Sequence, residues 1–269
     1  MDCRTSIATS PAPTTFGPLL FAGDVPAAAK AAGELGFDGI EINMKGPEEL
    51  SPSVLRGLLD RHGLELTAVA SGRIYIDEQA TLSDPDEGAR MRVVKRVNRL
   101  TGFAGEFGAP VIIGLLRGER LVDGDAGKTT SLFVQSMQEV AEHAATWGID
   151  IFLEAINRYE TPLFNTAEQT VEVVKRIDRP NVKVLLDVFH MNIEEVSIGD
   201  AIRATGDLLG HFHIVDSNRR APGMGHVAYG DIAAALREIG YNGWLSGEHL
   251  PLPDSYTAAK QTRSFIRDL

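Results

Sequence analysis

Apolar residues along the chain alternate between two textures. Short runs of consecutive apolar positions occur at 6–8, 39–42, 66–70, 111–114, 151–154, 184–187, 212–215 and 244–247. Runs without strict alternation predict strands covered on both faces, as in a parallel sheet. Amphipathic stretches lie between them. Residues 86–107 place Val94, Val97, Leu100, Ala104 and Phe107 at steps of three and four, and 132–147 do the same with Phe133, Met137, Val140, Ala144 and Trp147. Such stripes predict helices lying against a sheet, and the second reads as core packing. The basic positions Arg90, Arg92, Lys95, Arg96 and Arg99 fall mostly on the other face of their helix and read as a solvated surface.

Eight strand–helix units share 269 residues, about 34 each, which predicts an α/β fold of the (β/α)8 barrel type, one domain spanning 1–269. A doubly wound open sheet is the rival. That fold commonly carries a glycine-rich phosphate loop after its first strand, whereas here the first strand runs into Ala8-Thr9-Ser10-Pro11-Ala12-Pro13. No low-complexity segment or linker divides the chain.

Composition narrows the function. Lys plus Arg is 26 against 37 for Asp plus Glu, a formal charge of -11, which disfavours a nucleic-acid or membrane-surface partner. The lone cysteine, Cys3, rules out an internal disulfide framework and fits a reducing compartment. Met1-Asp2-Cys3-Arg4 lacks a basic region followed by an apolar core, and no apolar run is long enough to span a membrane. A cytoplasmic protein without signal peptide is expected.

In a barrel of this type, side chains that do chemistry sit at the C-terminal ends of the strands. The last four strands end in Glu154, Asp187, His213 and Glu248, spaced 33, 26 and 35 residues apart, about one unit each. Strand parity puts Phe152 on the face of Glu154, Leu185 on that of Asp187 and Ser246 on that of Glu248. Three carboxylates aimed into one mouth repel; they stay protonated or demand a cation. A divalent ion meets that demand, and oxygen-rich ligation with one imidazole suits Mn²⁺, Mg²⁺ or Co²⁺ better than a structural zinc or copper. The competing view is four unrelated strand-end residues.

Four stretches carry a family resemblance: Leu153-Glu154-Ala155-Ile156-Asn157-Arg158-Tyr159-Glu160, Leu186-Asp187-Val188-Phe189-His190-Met191-Asn192, the run from His211 to His226, and Gly247-Glu248-His249. Together they resemble the D-tagatose/D-allulose/L-ribulose 3-epimerase group of the xylose-isomerase-like barrel superfamily. The likeness is detailed over the second half and one of layout over the first. It implies that Glu154, Asp187, His213 and Glu248 bind a Mn²⁺-like ion, and that Glu154 and Glu248 double as opposed acid and base. It also implies that Glu160, His190 and Arg219 hold a keto-sugar substrate, and that the protein is a dimer or tetramer. The implied reaction is 3-epimerisation of a ketohexose, ketopentose or keto-sugar acid through a cis-enediolate, the metal bridging the ketone and neighbouring hydroxyl oxygens.

Other residues read less distinctly. His211 shares a face with His213 one layer deeper and reads as a buried, hydrogen-bonded side chain, while His249 should point away from the ion. The chain departs from the family in the loops after its third and fourth strands, Ala70-Ser71-Gly72-Arg73-Ile74-Tyr75 and Leu115-Leu116-Arg117-Gly118. Arg73 and Arg117 at the mouth suggest a substrate carboxylate or phosphate, unless both merely pair with neighbours to hold the loops. Rival activities are another enediolate reaction on the same scaffold (aldose–ketose isomerase, inosose-type dehydratase or keto-sugar-acid decarboxylase), an apurinic endonuclease and a non-catalytic sugar binder. Seven histidines and the acidic charge argue against the endonuclease.

Overall fold

Eight parallel strands close on themselves: β1 (Arg4–Thr9), β2 (Gly39–Asn43), β3 (Glu65–Ala70), β4 (Val111–Ile113), β5 (Ile151–Glu154), β6 (Val182–Asp187), β7 (Leu209–His213) and β8 (Trp244–Gly247), which pairs back onto β1. The structure is a computed structural model and describes residues 3–14 and 17–269. Met1 and Asp2, part of the stretch used to judge a signal peptide, lie outside the described residues. Among the described residues ten α-helices cover the barrel or lie across its ends: α1 (Val25–Leu35), α2 (Pro52–His62), α3 (Gly72–Glu78), α4 (Glu87–Gly105), α5 (Ala126–Thr146), α6 (Ala167–Ile177), α7 (Val188–Glu194), α8 (Ile198–Thr205), α9 (Tyr229–Glu238) and α10 (Ser255–Arg267). Among the described residues no helix is long and apolar enough to cross a membrane.

Local chemistry fixes where helices begin. Asp24, Asp86, Asp125 and Asp254 each accept a backbone N–H from the first turn of the helix they precede, and Thr166 with Gln169 forms a reciprocal capping box on α6. The cap on α5 explains why it starts six residues before the predicted stripe. Its first turn, Ala126-Gly127-Lys128-Thr129, carries no apolar periodicity. The stripe's last member, Trp147, is not core: it is 45% exposed and lies over Gly102 and Gly105 of α4, where a Cβ on Gly105 would come within 2.7 Å of the indole. In the basic run, Arg90 is buried and donates to the Asp84 carbonyl, while Arg96 and Arg99 pair with Glu78 and Glu48.

Strand parity sorts the core into two regions. Outward-facing Ile40, Ile42, Val111, Leu153, Val184 and Phe212 are buried against helix stripes such as Val97, Leu100, Phe133 and Val140. Burying each large side chain contributes about 1.5–3 kcal/mol before entropy is counted. Inside the barrel, Ala68, Ala70, Ile112, Phe152 and Leu185 form a separate small cluster from β3 to β6. The remaining arc is polar: Ser6, Glu41, His211, His213 and Ser246 are all buried. The register joins them, with Ala8 opposite Glu41, Asp187 opposite His213, and His213 opposite Ser246. β7 itself lies at 209–213, earlier than its apolar run predicted, because Gly210 and His211 mask its start while Ile214 and Val215 continue beyond the ladder.

Candidate active site

Glu154, Asp187 and His213 are the final residues of β5, β6 and β7, and Glu248 follows β8 directly. All four are buried, and one ligand atom from each lies within 4.8 Å of those of the others. His213 Nδ1 is 3.4 Å from Asp187 Oδ2, 3.9 Å from Glu248 Oε2 and 4.0 Å from Glu154 Oε1. Asp187 is oriented by capping α7: its Oδ1 accepts from Phe189 N and His190 N. That leaves Oδ2 aimed inward, and both it and His213 Nδ1 are buried without a hydrogen-bond partner. Such orphaned atoms are costly unless something else satisfies them. Three carboxylates and one imidazole nitrogen form a donor set that fits a hard or borderline divalent cation.

The electrostatics agree. Burial first, and then the charge of Glu248, push the Glu154 carboxyl well above the usual carboxylate range. Burial likewise raises Glu248, against the lowering influence of His213 and Arg219. Two acids that resist ionisation together mark a place where a cation or proton traffic belongs.

A second group of residues surrounds this cluster. His190, on the first turn of α7, has Nε2 3.7 Å from Glu154 Oε1. Asn157 Nδ2 sits 2.6 Å from His190 Nδ1 and 3.0 Å from Glu160 Oε1, so the amide donates to the ring and leaves the imidazole's N–H on Nε2, facing the cleft. Burial holds His190 down to about 4, which keeps the ring neutral near pH 7. Arg219 occupies a left-handed turn at φ 59, pinned by Arg219 N to Asp216 O, Asp216 N to Arg220 O and Leu250 N to Arg219 O. A non-glycine residue held there is a local strain of the kind found at working sites. Its guanidinium lies over the Phe189 ring and reaches Glu160 Oε1 at 3.1 Å and Glu248 Oε2 at 3.7 Å. Asp216 organises the following loop by accepting from Ser217, Gly223 and Val227 N–H groups.

The cleft over the cluster has two unlike walls. One carries Glu154, Glu160, His190, His213, Arg219 and Glu248; the other is Asn43, Ala70, Gly72, Ile112, Gly114, Leu115 and Ile156, with no charged side chain. Arg73 and Arg117 are absent from the lining, which corrects the expectation that they meet an anionic substrate. Arg73 is buried in ion pairs with Glu49 and Asp77. Arg117 is fully buried, stacks on Phe164 at 4.0 Å, and donates to the carbonyls of Gly114, Leu163, Phe164 and Glu154. Both guanidiniums are spent on holding loops. His211 lies one layer below His213, and His249 turns away to Thr262 Oγ1 at 2.7 Å. His226 is hydrogen-bonded to Ser217 at the surface.

A parallel barrel with buried ionisable residues gathered at the C-terminal mouth defines a barrel enzyme scaffold. Residues 29–269 match the sequence model of the xylose isomerase-like TIM barrel family. The chain is 37% identical to the D-psicose 3-epimerase of Agrobacterium fabrum over 217 residues, covering 78% of this chain and 74% of that protein. It is 32% identical to the L-ribulose 3-epimerase of a Methylomonas species over 237 residues, covering 86% and 82%. Local matches over 110 residues to two further D-psicose 3-epimerases reach 53% and 42% identity but span only 38% and 36% of those proteins' lengths. The crystal structure of D-psicose 3-epimerase with D-tagatose from Clostridium cellulolyticum superimposes with a TM-score of 0.82 at 28% identity, over 98% of this chain and 97% of that one. The chain belongs to the xylose isomerase-like TIM barrel family and, within it, to the sugar epimerases, which are isomerases.

Proposed function

We propose that this protein is a metal-dependent ketose 3-epimerase acting on an uncharged sugar. One observation carries the reading: two buried acids with raised proton affinity, Glu154 and Glu248, stand at the C-terminal ends of β5 and β8, strands separated by β6 and β7, with Asp187 and His213 between them. Inverting a carbon beside a ketone removes a proton from one face and returns one to the other. Two carboxylates at the ends of separate strands of a closed barrel supply an acceptor and a donor on either side of a ligand. When bound, a divalent ion held by Glu154, Asp187, His213 and Glu248 supplies positive charge against the oxyanion that develops as the proton leaves. Mn²⁺ suits this donor set best.

The surrounding side chains bind and orient. Neutral His190 offers an Nε2–H to a substrate oxygen beside Glu154. Arg219, stacked and strapped to its turn, offers its guanidinium beside Glu248. Glu160, gripped by Asn157 and Arg219, accepts from a sugar hydroxyl. The opposite wall, apolar apart from Asn43, faces the distal end of the sugar. With Arg73 and Arg117 engaged elsewhere, that wall carries no cationic side chain among the described residues, so free ketoses are favoured over ketose phosphates and keto-aldonates.

The test is a substrate screen in D₂O with chelator-stripped protein, with and without Mn²⁺, read by NMR. The expected result is an epimer of unchanged formula, deuterated at carbon 3, formed from a free ketose only when Mn²⁺ is present. Glu154→Gln and Glu248→Gln are each expected to lower turnover by about three orders of magnitude or more while retaining the native circular-dichroism spectrum. Loss of water or CO₂ from the sugar would replace epimerisation with one of the other enediolate reactions. Near-normal turnover in either variant would remove that residue from proton transfer.

A further inference from the structure

Glu41 lies in the middle of β2, fully buried inside the barrel, with no contact to the cleft. Its Oε2 is 2.9 Å from His211 Nε2 and 3.2 Å from His213 Nε2. The two rings meet edge to face at 82°, and His211 stacks on Phe152 at 5.7 Å. His213 is thus a bridge, with Nε2 turned down to Glu41 and Nδ1 turned up to Asp187, Glu154 and Glu248.

This bridge fixes a tautomer. A carboxylate accepts and cannot donate, so the nitrogen facing it carries the proton. The other nitrogen then presents its lone pair. We infer that Glu41 is a positioning residue for the metal centre: it holds the proton of His213 on Nε2 and aims Nδ1 at the ion, with His211 gripping the same oxygen from below. The inference rests on the metal-dependent reading above. Carboxylates hydrogen-bonded to a ligating imidazole orient the ring and raise its basicity, and losing one typically weakens metal binding by about 10- to 100-fold. The same three residues could alternatively hold a second cation. Against this, both imidazoles aim their Nε2 atoms at a single carboxylate oxygen at hydrogen-bond separations.

The experiment is calorimetric titration of Mn²⁺ into the chelator-stripped full-length protein, wild type and Glu41→Gln, alongside melting of both in chelator. One ion per wild-type chain is expected, with roughly 10- to 100-fold weaker binding in Glu41→Gln and little change in metal-free melting temperature. A wild type that takes up no Mn²⁺ overturns the metal reading and this inference with it. A wild type that binds while Glu41→Gln binds equally well overturns the inference alone, as does a lowered metal-free melting temperature with unchanged affinity. Two ions per chain would make Glu41 a ligand instead. Should Glu41→Gln fail to fold, imidazole ¹⁵N NMR of the Mg²⁺-loaded wild type decides, with His213 assigned by comparison with His213→Gln. Protonated Nε2 and bare Nδ1 are expected, and the opposite tautomer refutes the proposal.

Discussion

Replacing Arg117 by lysine separates a loop clamp from a substrate ligand. The arginine's planar fork serves four carbonyls from three segments of chain: Gly114 O at 3.0 Å from Nε, Leu163 O at 3.3 Å and Phe164 O at 3.2 Å from one terminal nitrogen, and Glu154 O from the other. A lysine ammonium keeps the charge but gathers its donors on one atom, so it reaches one or two of these acceptors. Two or three buried carbonyls then lose their partner at about 1 kcal/mol or more each. The stacking of the guanidinium on Phe164 goes too, a further loss of about 1 kcal/mol. The sum is about 3–5 kcal/mol, or a fall of roughly 10 °C in melting temperature for a chain of this size. Urea denaturation followed by circular dichroism in chelator measures the loss, and steady-state kinetics below the new transition measures KM. A loss under about 1 kcal/mol, or intact stability with a KM raised tenfold for a phosphorylated or carboxylated ketose, would return Arg117 to the substrate and refute the clamp.

Two further outcomes follow from close approaches and burial. Gly114→Ala would put a Cβ 2.5 Å from Glu154 Oε2 and 3.1 Å from Ile156 Cδ1, so a loss of turnover of about tenfold or more is expected with little change in urea stability; Gly57→Ala, which meets nothing within 4 Å, is the control, and equal activity in the two variants would contradict the geometry. Tyr241 donates to Trp244 O at 2.8 Å, and burial, reinforced by Cys3, raises its phenol above the ordinary value of 10.0. Its contribution to stability is therefore complete below about pH 10 and is lost as the pH rises further, at about 1.4 kcal/mol per unit. Tyr241→Phe should flatten the stability curve between about pH 10 and 11.5 relative to wild type, and parallel curves would contradict this.

The barrel is legible in the sequence because both of its periodicities are strong: Val111–Ile113 and Ile151–Leu153 are apolar on both faces, and α4 and α5 carry clean stripes. The four cluster residues could be found for the same reason, since strand ends recur at the unit spacing. Glu41 has no place in the unit spacing of the strand ends, although parity points it inward: Ile40 and Ile42 face the helices, so the residue between them faces the interior. Asn157 was missed because an amide inside a loop motif has no periodic signature; only the fold brings it to His190. Arg73 and Arg117 misled because their place in the sequence, just after a strand, says nothing of which way the side chain turns. Their acceptors, Glu49, Asp77 and the carbonyls of Leu163 and Phe164, lie in distant segments.

The uncharged side of the mouth draws most of its residues from 70–115, whereas the buried ionisable cluster comes wholly from 154–248. An exchange of the earlier stretch between relatives, by recombination or by design, would therefore replace most of the uncharged residues lining the cleft while leaving the buried ionisable cluster in one inherited block.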